Sequence, residues 1–119
     1  MPRRRWTRRA LNRPSFRVAW SENAARDLEE LTSYAAQESP ARARRLLGRV
    51  RKWAAALERF PDRGRRVPEL LELGITTWRE LVASPYRLVY RREGHDVFVD
   101  GLFDTRRDLE ELLVERLLT

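Results

Sequence analysis

Two segments with helical periodicity meet at the dipeptide Ser39-Pro40, and this junction constrains the fold more than any other feature of the chain. Residues 22–37 form the first segment, and Ser21 precedes it as an N-cap. Ser39 caps the second, and Pro40 suits its first turn, where a missing N–H costs nothing. The apolar stripe of the second helix is Ala43, Leu46, Leu47, Val50, Ala54 and Leu57. So short a connection predicts an antiparallel helical hairpin.

Alternation of apolar and polar residues predicts strands on both sides of the hairpin. The predicted strands cover residues 16–20, 78–82, 86–91 and 97–103. In the third of these, Tyr86, Leu88 and Tyr90 share one face, which leaves Arg87 on the face away from the core. Gly94 lies in the predicted turn between the last two strands, where it is free to take a positive φ. A last helix is predicted to begin near residue 105.

This order of elements predicts an α+β fold. We expect an antiparallel β-meander of about four strands, with the N-terminal helical hairpin packed on one face and a short C-terminal helix. A length of 119 residues provides one domain, which we assign to residues 16–119.

The positive charge is concentrated at the N-terminus. The formal net charge is +7, and six of the 25 basic residues lie in residues 1–15, which contain no Asp or Glu. The remaining 19 basic residues nearly balance 18 acidic ones. Residues 1–15 are either a disordered basic arm or a stretch that precedes the true start. Such an arm would attract any polyanion without sequence preference.

Composition argues against several classes of protein. The chain has no cysteine, and His95 is its one histidine, so we expect no metal or other cofactor. No apolar run approaches the ~20 residues that span a bilayer. The basic N-terminus is not followed by the apolar segment of a secretory signal. We therefore expect a cytoplasmic protein without a membrane partner.

Four segments, in order, resemble the RelE/ParE superfamily of toxins from type II toxin–antitoxin systems. Residues 18–28 resemble the opening strand and helix of the ParE-like branch, and residues 60–70 resemble its following loop. Residues 79–81 and 86–90 resemble the superfamily's strand pair, and residues 106–109 resemble its closing segment. The resemblance implies a growth-inhibiting toxin that a cognate antitoxin neutralises in a hetero-oligomer. RelE-like members cut messenger RNA in the ribosomal A site, whereas ParE-like members poison DNA gyrase.

The matched positions favour the ParE-like mechanism. Trp78 and Glu80 fall where RelE-like members carry catalytic lysines, and only Arg87 and Arg106 remain of that set. Cleavage by the 2′-hydroxyl needs a base and an acid, and a guanidinium stays protonated. We therefore expect no catalysis, although an endoribonuclease with Arg87 and Arg106 at the phosphate and Glu69 or Glu80 as base is an alternative. A non-toxic nucleic-acid-binding module is another.

Two groups of residues are candidates for binding. The first would bind an anion or the target: Arg79, Arg87, Arg106, Arg107, Tyr86 and Tyr90. Two of these, Arg106 and Arg107, are predicted in the first turn of the last helix, where cations oppose the helix dipole unless an anion is held there. Local neutralisation by Asp104 and Asp108 is the alternative. For the tyrosines, base stacking competes with a place in the core.

The second group would bind the antitoxin through the outer face of the second helix. It consists of Arg42, Arg45, Arg49, Lys52 and Trp53. An acidic C-terminal segment of an antitoxin, disordered when free, would fold onto this face. A solvated helix face is the alternative for the cations, and packing is the alternative for Trp53.

Overall fold

The computed structural model describes residues 16–106 and 109–118. The predicted arm at residues 1–15 and the candidate Arg107 lie outside the described residues. The elements, in chain order, are β1 (Arg17–Trp20), α1 (Glu22–Glu38), α2 (Pro40–Arg59), β2 (Arg65–Arg66), α3 (Pro68–Leu71), β3 (Trp78–Ala83), β4 (Tyr86–Glu93), β5 (Asp96–Asp104) and α4 (Glu110–Leu118).

The predicted helical hairpin is confirmed, together with both of its caps. The hydroxyl of Ser21 accepts the N–H of Ala24 at 3.0 Å, and that of Ser39 accepts the N–H of Arg42 at 3.2 Å. Each hydroxyl thereby satisfies a backbone donor that has no partner within its helix. The extended backbone of Ser39 ends α1 and starts α2, so the two helices fold back on each other.

Within the described residues, the sheet has five strands in the order β1-β5-β4-β3-β2. The predicted antiparallel meander is confirmed for β3, β4 and β5, which pair in sequence. Two features differ from the prediction. A two-residue strand, β2, extends the sheet beyond β3, and β1 pairs with β5 in the parallel direction. Two antiparallel helices return the chain to the end from which β1 starts, where the N–H of Phe16 binds the carbonyl of Glu58 at 3.2 Å.

Helices cover both faces of the sheet, and not one face as the alternation in the sequence predicts. The hairpin face buries a cluster that includes Leu46, Trp53, Leu88 and Tyr90, with Leu28 packed against it. The opposite face buries a second cluster under α3 and α4, formed by Val67, Leu70, Val89, Phe103, Leu109 and Leu113. Strand β4 therefore buries consecutive residues from Arg87 to Tyr90.

The register of α2 against the sheet also differs from the prediction. Helix α2 buries Ala43, Leu46, Val50, Trp53 and Leu57. Leu47 and Ala54, which the predicted stripe includes, are half-buried. The prediction puts Ala54 in the core, but the adjacent Trp53 is buried there instead. Trp53 is therefore a core residue and is not exposed on the helix surface. No helix within residues 16–106 and 109–118 is long and apolar enough to cross a membrane.

Candidate functional site

Arg87 is buried between two carboxylates on the face of the sheet that α3 and α4 cover. Its Nε donates to Oε1 of Glu80 at 2.7 Å, and its two terminal nitrogens donate to the two oxygens of Glu69 at 2.7 and 2.6 Å. The second oxygen of Glu80 accepts Nε of Arg65 at 2.7 Å. Neighbouring strands bring these groups together, since Glu80 and Arg65 are paired in register. The sequence places Arg87 correctly on the face opposite Tyr86 and Leu88, but the expectation that this face lies outside the core is wrong, because α3 and α4 cover it.

The ion pair changes the proton affinity of both partners. The hydrogen bonds from Arg87 hold the pKa of Glu69 below its ordinary value, against an opposing effect of burial. The same hydrogen bonds raise the pKa of Arg87 above its ordinary value. Glu69 is therefore a weak base, and the charge of Arg87 is already balanced by acidic neighbours. The side chain of Glu80 has no exposed surface, so substrate cannot reach it in this conformation.

Tyr90 is also buried, with no exposed surface. Its hydroxyl accepts the N–H of Gly64 at 2.9 Å, and burial raises the pKa of this phenol. A ring enclosed in the core cannot stack on a base, so its predicted place at an exposed binding surface is wrong. Arg79, its neighbour across the sheet, donates to the carbonyl of Gly64 at 2.7 Å and lies between Tyr90 of β4 and Arg66 of β2.

Arg106 does not begin the C-terminal helix. Helix α4 starts at Glu110, five residues after the predicted start, so the argument from a cation in the first helical turn is wrong. Asp104 instead forms a local turn in which its carboxylate accepts both the backbone N–H and the guanidinium of Arg106, at 2.8 and 2.6 Å. This hydrogen bond raises the pKa of Arg106 above its ordinary value.

A groove of about 380 Å³ between the turn of the helical hairpin and the β3–β4 turn brings together some members of each of the two predicted groups. We call it the arginine groove. Its lining includes four arginines, two tyrosines and one glutamate: Arg42, Arg45, Arg49, Arg106, Tyr34, Tyr86 and Glu38. Three of these arginines lie on α2 at spacings of three and four residues, which place them on one side of the helix.

The groove carries a net positive charge. Arg42 forms an ion pair with Glu38 one turn earlier in the chain, and Arg106 forms one with Asp104. Among the described residues, Arg45 and Arg49 form no ion pair with a carboxylate. Both are exposed and belong to the same wall. Two guanidinium groups without a counter-charge favour an anionic occupant.

The structure adds residues that the sequence analysis did not include. Tyr34 is 60% exposed and lines the groove, and Ser84-Pro85 forms its floor at the β3–β4 turn. The sequence contained one indication of this position for Tyr34. It lies next to Ala35 but outside the apolar face of α1, so its ring is on the surface of the helix. Lys52 is exposed on α2 but does not line the groove, and the core position of Trp53 excludes it from this surface.

The candidate nuclease residues do not converge. Arg87, Glu69 and Glu80 are on the face of the sheet under α3, whereas Arg106 lines the arginine groove, with Tyr86, on the side of the hairpin. Tyr86 and Arg87 are adjacent in β4, so their side chains point to opposite faces. No described site therefore combines the two arginines with a free carboxylate.

A helical hairpin on a mainly antiparallel sheet, with a basic groove at one end, defines the class of small α+β toxins to which the RelE/ParE superfamily belongs. Residues 18–109 match the family described as ParE toxin of type II toxin-antitoxin system, parDE. The chain therefore belongs to the ParE toxin family, and the resemblance predicted from the sequence is confirmed. It is a toxin of a type II toxin–antitoxin system.

Individual relatives agree with this assignment. Toxin RelE2 of Caulobacter vibrioides is 37% identical over 68 residues, which are 57% of this chain and 69% of that protein. A chain of the chromosomal ParDE system from P. aeruginosa has the same fold, with a TM-score of 0.60, 17% identity, and coverage of 76% of this chain and 96% of that one. The toxin–antitoxin complex RelBE2 from Mycobacterium tuberculosis contains a chain with a TM-score of 0.53, 23% identity, and coverage of 76% and 98%.

Proposed function

We propose that this toxin acts in the cytoplasm without catalysis, by poisoning DNA gyrase, and that an acidic segment of its antitoxin occupies the arginine groove. The observation that carries the choice against a nuclease is the pairing of Arg87 with Glu69 and Glu80. A residue that stabilises a phosphorane must offer uncompensated positive charge to it. Arg87 offers none, because two carboxylates already balance its charge.

The shortage of proton-transfer groups supports the same proposal. Cleavage of RNA requires a base near the nucleophile and an acid near the leaving oxygen, both within hydrogen-bond reach. Glu69 is a weak base because Arg87 lowers its pKa, and Glu80 is enclosed. Arg106 lies on the other side of the sheet from both. A RelE-type reaction would need all three to rearrange together.

A gyrase assay tests the target. Purified toxin is incubated with DNA gyrase, ATP and relaxed plasmid, and both supercoiling and cleaved plasmid are measured. We expect inhibited supercoiling and an accumulation of cleaved plasmid. Absence of both effects at saturating toxin contradicts the proposal.

A translation assay separates the ribonuclease alternative. The toxin is added to a cell-free translation reaction, and the messenger RNA is mapped by primer extension. We expect no cleavage in phase with the codons. Cleavage at the ribosomal A site that is lost in Arg87→Gln would assign the ribosome as the target instead.

The arginine groove supports the proposed antitoxin contact. An acidic helix or strand can place carboxylates against Arg45 and Arg49, which lack a counter-charge, and an apolar side chain against Leu46 and Pro85. The exposed ring of Tyr34 offers a further contact of the kind found at interface centres. Such a segment would order as it binds, as disordered partners do.

Paired substitutions test this contact. The double variant Arg45→Gln, Arg49→Gln is compared with Arg44→Gln, Arg51→Gln, which removes the same charge from exposed positions of α2 outside the groove. Affinity for the product of the adjacent open reading frame is measured by titration calorimetry. We expect a loss of about tenfold or more for the groove variant and of less than about threefold for the control. Equal losses would contradict the groove as the contact site.

A further inference from the structure

A second basic surface lies at the opposite end of β4 from the arginine groove. Two adjoining cavities there share Asp62 and Arg92 in their walls. Six arginines line one or both of them: Arg59, Arg63, Arg66, Arg79, Arg91 and Arg92. We call this set the basic end surface. Tyr86 of β4 lines the arginine groove, and Tyr90, Arg91 and Arg92 line the end surface, so the two surfaces are about 13 to 20 Å apart along the strand.

Carboxylates balance only part of this charge. Asp62 is the one acidic residue in the described lining of the two cavities, and it accepts Arg92 at 2.7 Å and lies 3.9 Å from Arg79. Arg91 is held by Asp100 and Glu93 at the rim.

Arg63 and Arg66 keep more of their charge. Arg66 donates to the backbone carbonyl of Thr76, which orients its guanidinium without neutralising it. Arg79 donates to the backbone carbonyl of Gly64 and shares the carboxylate of Asp62 with Arg92. Arg63 has no carboxylate partner among the described residues. The surface therefore presents two guanidinium groups, those of Arg63 and Arg66, that no carboxylate balances among the described residues.

Aromatic rings lie among these arginines. The ring of Phe16 stacks on His95, with centroids 5.8 Å apart, and the guanidinium of Arg92 lies 4.6 Å from the centroid of the Phe16 ring. Phe60 is 60% exposed in the same cavity wall. The exposed ring of Phe60 among guanidinium groups suits nucleic acid better than an acidic peptide, because an unpaired base stacks on it.

The described part of the chain begins at this surface. Phe16, the first described residue, lines the cavity and is fixed by the hydrogen bond from its N–H to Glu58. Residues 1–15, which precede it, carry six arginines and no acidic residue.

We propose that the basic end surface binds the phosphodiester backbone of nucleic acid without sequence preference, as an activity separate from the proposed antitoxin contact. Guanidinium forks match phosphate oxygens in pairs, and neutralising phosphates releases condensed cations, which provides the affinity. The separation along β4 leaves this surface open when the arginine groove is occupied.

A salt titration with the full chain tests the proposal. The probes are a short fluorescently labelled duplex DNA of mixed sequence and the matching single strand, and anisotropy is followed at several salt concentrations. The variant Arg63→Gln, Arg66→Gln is compared with Arg44→Gln, Arg51→Gln, which carries the same charge change on the outer face of α2. A third variant replaces Arg3, Arg4 and Arg5 by glutamine. Circular dichroism verifies that each variant is folded.

We expect the end-surface variant to bind duplex DNA about tenfold more weakly than the parent at moderate salt, with a dependence of log K on log salt that is shallower by about 1 to 2. The control should lose less than about threefold. The arm variant should lose affinity in addition. Tighter binding of the single strand would assign the exposed ring of Phe60 to base stacking.

Two outcomes would overturn the proposal. Equal losses in the end-surface and control variants would mean that only total charge matters. Poly-glutamate that binds as tightly as DNA at equal charge, with the same sensitivity to Arg63 and Arg66, would assign the surface to an acidic protein. The experiment contains no gyrase and no antitoxin, so its result is independent of the proposed function.

Discussion

The two terminal nitrogens of Arg87 donate to the two carboxylate oxygens of Glu69, at 2.7 and 2.6 Å, and so connect the short helix α3 to the centre of the sheet. Glu80 binds the remaining Nε, which leaves a buried cation between two anions. Removing one partner of such a group leaves charge that burial keeps from water. The cluster is therefore a structural element of the toxin.

Substitution of the two carboxylates should give different losses of stability. Glu80 has no exposed side-chain surface and binds two arginines, whereas the side chain of Glu69 is 26% exposed. We expect Glu80→Gln to lower the free energy of unfolding by about 3 kcal/mol and Glu69→Gln by about 1 to 2 kcal/mol. Urea unfolding followed by circular dichroism measures both. A larger loss of stability in Glu69→Gln than in Glu80→Gln would contradict this prediction and would show that water does not reach the pair of Glu69 and Arg87.

Acid should weaken the protein through Glu69. Arg87 lowers the pKa of Glu69 in the folded state below its ordinary value of 4.5, so the unfolded chain binds the proton more tightly. The stabilisation from this pair is therefore complete above about pH 5 and is lost as the pH falls through the folded pKa. We expect the unfolding free energy of the parent to decrease over this range more steeply than that of Glu69→Gln. Parallel pH profiles for the two proteins would contradict this origin.

The sequence predicted the elements whose signals are local. Ser21 and Ser39 cap their helices as expected, because a cap depends only on residues within one turn. Gly94 has φ = 60° in the two-residue turn between β4 and β5, where a positive φ favours glycine. These local signals were enough to predict the helical hairpin and the meander, which make up most of the fold.

The candidate site was less predictable because its contacts are distant in sequence. An arginine that alternates with apolar residues normally faces solvent, and Arg87 is buried only because Glu69, 18 residues away, folds over it. The helix that carries Glu69 has four residues, too few to show a period. Similarly, Asp104 forms a local turn at the end of β5, and the last helix begins only at Glu110.

Hydrogen bonds to Asp27 of α1 connect the C-terminal helix α4 to the rest of the protein. Its carboxylate accepts the N–H of Leu102 at 3.1 Å and two nitrogens of Arg116 at 2.9 and 3.1 Å. We expect Asp27→Asn to lower the unfolding free energy by about 1 to 2 kcal/mol, because an amide cannot accept all three hydrogen bonds. Hydrogen exchange should also become faster in α4 before it does in β4.

An exposed ion pair provides the control for Asp27. Arg17 pairs with Asp96 at 2.9 Å, but its side chain is 82% exposed. Arg17→Gln should change stability by less than about 0.5 kcal/mol. A cost equal to that of Asp27→Asn would mean that burial does not distinguish the two pairs.

Alanine should have opposite effects at two glycines. A Cβ on Gly64 would lie 2.6 Å from the carbonyl oxygen of Glu80 and 2.6 Å from the hydroxyl of Tyr90, while one on Gly48 meets nothing within 4 Å. The backbone oxygen cannot move aside without disturbing the pairing of β2 with β3. We expect Gly64→Ala to lower the unfolding free energy by about 2 kcal/mol or more.

Gly48 lies within α2, so Gly48→Ala should raise the free energy of unfolding by about 0.5 to 1 kcal/mol through the better helix propensity of alanine. Thermal unfolding of the two variants beside the parent measures both effects under one condition. Because the chemical change is the same, the difference in sign isolates the space around each glycine. Equal destabilisation by both substitutions would contradict the close approach of Gly64 to Tyr90.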